Sequence, residues 1–159
     1  MALDDDIASL SGAPLFRLMN GDALRLIAFA AEHRPLKAGE VLFIKGERSN
    51  GGFVVTRGSI SLETSEGVET FVAGPGALIG QTALFARTMR PATATAREVS
   101  AVLRISPMLM RRVLQEFPST ADVIRDALGR DLVELTGGLD RVRWRLLAIG
   151  PTPALPALA

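Results

Sequence analysis

The residues best suited to chemistry lie in one stretch, Gly74-Pro-Gly-Ala-Leu-Ile-Gly-Gln-Thr-Ala-Leu-Phe-Ala-Arg-Thr-Met-Arg-Pro-Ala-Thr-Ala94. Gly80 ends an apolar run and opens residues 81–86, long enough for one or two helical turns. The first N–H groups of such a turn have no partner within it and carry partial positive charge. A glycine beside them lets a ligand approach the backbone closely. Arg90 adds a forked, permanently charged donor to the same neighbourhood. Together these suit a small phosphate. A plain glycine turn next to a surface arginine would also account for them.

The rest of the chain narrows the chemistry by what it lacks. There is no cysteine, so disulfides and thiolate metal sites are excluded together. The single histidine, His33, cannot supply the several imidazoles that a metal-dependent β-barrel enzyme brings to its ion. Its expected place is near a helix end. No nucleophile–base pair and no paired acids are spaced for catalysis, so a non-enzyme is expected. The 18 basic and 17 acidic side chains nearly cancel, which argues against non-specific nucleic-acid binding. No run of about 18 apolar residues suggests a membrane span. The acidic start, Met1-Ala-Leu-Asp-Asp-Asp6, is unlike a secretory signal. A cytoplasmic protein is the expectation.

These residues must be held by elements, and the hydrophobic period locates them. Asn20 is a capping residue, Asp22 an early acid, and Leu24, Ile27 and Ala31 recur at helical spacing. After Pro35 the period becomes two. Strands are expected at 41–45, 53–55, 59–63, 68–72 and 99–105, separated by glycine-rich turns. Ser106-Pro107 is a cap followed by a first-turn proline, and Phe117-Pro118 breaks the helix it opens. A longer helix is expected from Ser119 or Thr120 to about Leu147. The tail from Gly150 to Ala159 carries three prolines and should be irregular. The expected architecture is mainly β with flanking helices. It is a jelly-roll or β-roll sandwich with N-terminal helices, a short cassette helix and C-terminal helices. The division is 1–118 for the roll and its flanking helices, 119–147 for the C-terminal helical segment and 148–159 for the tail.

The order of these motifs resembles the cyclic-nucleotide-binding domain family of catabolite-activator-type regulators, cyclic-AMP-dependent kinase regulatory subunits and cyclic-nucleotide-gated channels. The resemblance runs from about Leu10 to Pro118. It rests on Pro14-Leu-Phe16, Gly39-Glu40, Leu42-Phe43, Gly46-Glu47, Phe53-Val-Val55 before Gly58, Gly74-Pro-Gly76, Ile79-Gly80 and Arg90-Pro-Ala-Thr93. It implies that Arg90 pairs with a cyclic phosphate. Backbone N–H groups of the turn at Gln81, Thr82 and Ala83, and near Ala92, would share that phosphate. Gly80 would let the sugar approach.

Three positions carry further implications. Position 81 would normally be a glutamate accepting from the ribose 2′-hydroxyl, and here it is Gln81, which accepts without charge assistance. Thr82 stands where the family has an apolar residue, either capping the turn or simply tolerated. Pro91 lacks the hydroxyl that often follows the arginine in guanine-preferring members, so cyclic AMP is the default over cyclic GMP.

Leu128, Leu132, Leu135, Leu139, Val142 and Leu146 follow a 4-3-4-3-4 spacing. That spacing suits either a homodimer seam or a helix packed on its own roll. Gly137-Gly138 interrupts it. Asp126–Arg130 and Arg130–Glu134 are candidate surface ion pairs. Arg141-Val-Arg-Trp-Arg145 is read as helix surface around a packing Trp144. The expected function is a cyclic-nucleotide sensor acting on an effector protein that the sequence does not identify. Twelve residues follow Leu147, too few for a helix-turn-helix, so no DNA-binding module is expected there. The alternatives are a ligand-free interaction scaffold and a fragment of a larger regulator or channel.

Overall fold

A computed structural model describes residues 2–65, 68–134 and 148–149. Three helices come first: α1 (Ala2–Leu10), α2 (Pro14–Arg17) and α3 (Gly21–Ala30). Asn20 caps α3 as expected, its side chain accepting from the Ala23 N–H at 2.8 Å. Eight strands follow: β1 (Glu32–Leu36), β2 (Val41–Phe43), β3 (Gly52–Arg57), β4 (Ile60–Ser65), β5 (Val68–Ala73), β6 (Leu78–Ile79), β7 (Thr93–Ala96) and β8 (Ser100–Ile105). A 3₁₀ turn, Gln81–Leu84, lies between β6 and β7. Helices α4 (Pro107–Glu116) and α5 (Pro118–Glu134) follow, and Ala148–Ile149 forms β9.

The strands make two antiparallel sheets, ordered β1-β8-β3-β6-β9 and β2-β7-β4-β5. Their faces explain the uninterrupted apolar run Phe53-Val-Val55. Phe53 and Val55 point into the core between the sheets, with Phe43, Ile60, Leu62, Ile79 and Val102. Val54 points the other way, into a second core that the helices cover, with Phe16, Ile27, Leu103, Met110 and Val113. A strand buried on both faces loses the polar alternation of a half-exposed one.

Two expectations are corrected. His33 lies on β1 rather than at a helix end, and its Nε2 is 2.6 Å from Asp6 Oδ2 on α1. Its strand reads poorly because it is an edge strand with one buried residue, Leu36, and an edge tolerates Pro35. The irregular tail expected from Gly150 to Ala159 lies outside the described residues. Ala148–Ile149 pairs with Leu78–Ile79, whose short strand offers a free edge for backbone bonds. Helix α5 starts at Pro118, one residue earlier than expected, because proline lacks only an N–H that the first turn leaves unused.

The expectations for Gly137-Gly138, Trp144 and the seam from Leu135 onward lie outside the described residues, as does the side chain of Arg130. Leu128 packs on the helix-covered core of its own domain. No helix among the described residues is long and apolar enough to cross a membrane.

Candidate functional site

The site forms where the loop between β2 and β3 meets the segment leading into β7. The two run side by side and are tied by backbone bonds. Ser49 N–H donates to the Thr88 carbonyl at 2.7 Å, Arg90 N–H to Glu47 at 2.7 Å, and Gly46 N–H to Arg90 at 2.8 Å. The Thr88 N–H donates to Ser49 Oγ at 2.9 Å. This ladder fixes the Arg90 backbone, so its side chain has one direction to go, inward.

Only 5% of Arg90 is exposed. Its guanidinium carbon lies 4.2 Å from the centroid of the Phe43 ring and 5.5 Å from that of Phe53. One amino group, Nη2, donates to the Gly51 carbonyl at 2.9 Å. No carboxylate lies within ion-pair distance among the described residues. Burial therefore dominates its titration and pushes it down to about 10, with the field of Glu47 opposing and that of Arg104 adding to the drop. It remains charged at neutral pH.

Gly80 is required here for two reasons. It adopts φ +80°, a left-handed conformation. A Cβ at this position would also sit 2.8 Å from Arg90 Nη1. The glycine thus leaves room for the arginine fork.

A pocket of about 190 Å³ opens against this fork, walled by Gly80, Thr82, Ala83, Arg90 and Pro91, with Thr88 and Met89 completing it. That is room for several waters, at about 30 Å³ each, but less than the roughly 300 Å³ of a site enclosing a whole drug-sized ligand.

Five of the seven residues singled out from sequence meet at this wall, and two do not. Gln81 is 5% exposed and lies outside it. Ala92 is fully buried in the core between the sheets and is not part of the wall. The Ala83 N–H already donates to the Gly80 carbonyl at 3.0 Å, which leaves Gln81 and Thr82 as the first-turn donors. Thr82 does not cap the turn. Its Oγ1 is buried and has no hydrogen-bond partner. Sequence reasoning missed the Phe43–Phe53 cage, because aromatic strand residues read equally well as core. Among the described residues, no group of three His, Asp or Glu could hold a metal ion.

Comparison with known proteins decides the family. Residues 33–117 match the family model described as the cyclic nucleotide-binding domain. The chain belongs to the cyclic nucleotide-binding domain family. It is 30% identical over 116 residues, 73% of its length, to a cyclic nucleotide-gated potassium channel of Mesorhizobium japonicum. It spans about a third (32%) of that channel's length.

Among solved structures it is similar to a cyclic nucleotide-binding-like protein from Brucella abortus. That match has 37% identity and a TM-score of 0.64, covering 70% of this chain and 99% of the other. It is also similar to the N-terminal domain of a transcriptional regulator from Streptomyces coelicolor, with 28% identity and a TM-score of 0.73. That match covers 79% of this chain and 91% of the other. The cyclic nucleotide-binding domain is a regulatory module rather than a catalytic one.

Proposed function

We propose that this domain binds a cyclic nucleotide against Arg90 and reports its occupancy through the helices that follow. One observation carries the reading: a buried guanidinium with no carboxylate partner among the described residues forms part of the wall of a pocket of about 190 Å³. A buried charge without a counter-ion is costly, and an anion in the pocket supplies one. The phosphate would take the fork of Arg90 and the free N–H groups at Gln81 and Thr82. Pro91, which offers no hydroxyl, favours cyclic AMP over cyclic GMP.

The 3₁₀ turn supplies the link to the helices. Thr82 and Ala83 face the pocket, while Leu84 is buried in the helix-covered core with Leu109, Met110 and Val113 of α4. A ligand that shifts the turn therefore changes the packing of α4, and through it α5. The output would be an effector protein, or the remainder of a longer regulator or channel.

Thermal unfolding tests the reading. Ligand at a hundredfold excess over its Kd adds about 2.7 kcal/mol, a rise of roughly 5–10 °C for a domain of this size. Cyclic AMP should give that rise, and cyclic GMP a smaller one at equal concentration. No shift with either nucleotide removes the reading.

A second reading, a ligand-free interaction scaffold, is favoured by Gln81, which stands in the family's glutamate position and lies outside the pocket. A partner captured through the roll regardless of added nucleotide would support it.

A further inference from the structure

We propose that Arg104 is a positioning residue for the ligand site, pinning the Asn50–Gly51 loop so that the Gly51 carbonyl orients the Arg90 fork. This assignment rests on the binding reading above and specifies what holds its central residue in place. Arg104 lies on β8 opposite Phe53 of β3. Paired residues of neighbouring antiparallel strands share a face, so Arg104 leaves the sheet beside the ring that flanks Arg90. Its side chain is 20% exposed. Nε donates to the Asn50 carbonyl at 3.1 Å, and Nη1 reaches Glu32 Oε2 on β1 at 3.5 Å. The two guanidiniums are near enough for the charge of Arg104 to disfavour that of Arg90.

Two consecutive carbonyls are thus taken by two arginines, Asn50 by Arg104 and Gly51 by Arg90. The Gly51 bond is the only hydrogen bond of the Arg90 side chain among the described residues. A fork tied at one point is oriented only as well as that point is held. Gly51 has φ +103°, and a Cβ there would collide with the carbonyl of Ile105, the residue after Arg104. The loop therefore sits on the end of β8, and Arg104 reaches back from that end to clasp it. With Nη2 anchored on Gly51, Nη1 is left against Gly80 on the pocket wall. A binding group held in place before the ligand arrives loses less freedom on binding.

The test pairs proton–nitrogen NMR of the unliganded protein with calorimetry using cyclic AMP. Both are run on the wild type, Arg104→Met, Arg104→Lys, Arg90→Ala and the double variant Arg90→Ala/Arg104→Met. A guanidinium held by a hydrogen bond rotates slowly, so its two Nη groups give separate signals. The wild type should show such a pair, absent from Arg90→Ala. Arg104→Met should merge the pair, and Arg104→Lys, which can still donate to Asn50, should keep it. Arg104→Met should bind cyclic AMP about tenfold more weakly than the wild type, and Arg104→Lys within about threefold of it. With Arg90 already replaced, Arg104→Met should cost less than about twofold more, because a residue acting through Arg90 has nothing left to act on.

A wild type whose Arg90 signals are already merged overturns the assignment with no variant needed. So does a separated pair in Arg104→Met, wild-type affinity in that variant, or Arg104→Lys that behaves like it. An equal loss with and without Arg90 also overturns it, because Arg104 would then act on the ligand by itself. Wild-type protein that binds no cyclic AMP overturns the binding reading, and the role in binding with it, whereas the NMR signals report the hold on Arg90 without ligand.

Discussion

Burying Arg90 removes hydration that one carbonyl bond and two phenyl faces restore only in part. The consequence is a depressed pKa of about 10, caused mainly by desolvation. An anion in the pocket favours the charged form, so nucleotide binding raises that pKa again. Protons are then taken up with ligand above pH 10, and affinity falls as pH rises. Affinity should be flat from pH 7 to 9 and about tenfold weaker at pH 11. Titration calorimetry across that range, with far-UV dichroism to confirm folding, checks this. A profile still flat at pH 11 would mean that burial does not lower Arg90 to about 10.

Gly80 yields a second expectation at this scale. Gly80→Ala forces an L-residue into left-handed backbone, at about 1–2 kcal/mol, and crowds Nη1 of Arg90. Urea denaturation should show that loss, and nucleotide affinity should fall with it. Stability equal to the wild type would mean the backbone is not held at that conformation.

Among the elements, the legible ones are those whose ends or faces obey local rules. Ser106-Pro107 announced α4, and the Ser106 hydroxyl accepts from the Leu109 N–H at 3.0 Å. Ser106→Ala should therefore cost about 1 kcal/mol in denaturant titration. Stability equal to the wild type would mean that the Ser106 hydroxyl does not hold the start of α4. The alternating strands β4 and β5 were equally readable.

The elements that escaped reading have physical reasons. β1 is a polar edge strand, and β6 has two residues, too few to show a period. β7 is Thr-Ala-Thr-Ala, where the buried side chains, Ala94 and Ala96, are too small to mark a core face. The site was legible in part. Gly80 and Arg90 declared themselves by type and spacing, but the cage around Arg90 is assembled across two sheets. Likewise Asp6, the partner of His33, comes from a helix far back in the chain.

At the scale of the whole molecule, two cores share one sheet, and residues beside the candidate pocket reach both. Arg90 rests on Phe43 and Phe53 of the core between the sheets. Leu84, two residues from the pocket wall at Thr82, belongs to the core under the helices. Occupancy at one point is therefore placed to alter packing on both sides of the central sheet. All of this depends on the buried guanidinium meeting a cyclic phosphate. The most direct test is calorimetry with cyclic AMP on the wild type and on Arg90→Ala, with far-UV dichroism showing both folded. Binding by the wild type that weakens at least about thirtyfold in Arg90→Ala is the expected result. A folded Arg90→Ala that keeps wild-type affinity would contradict it.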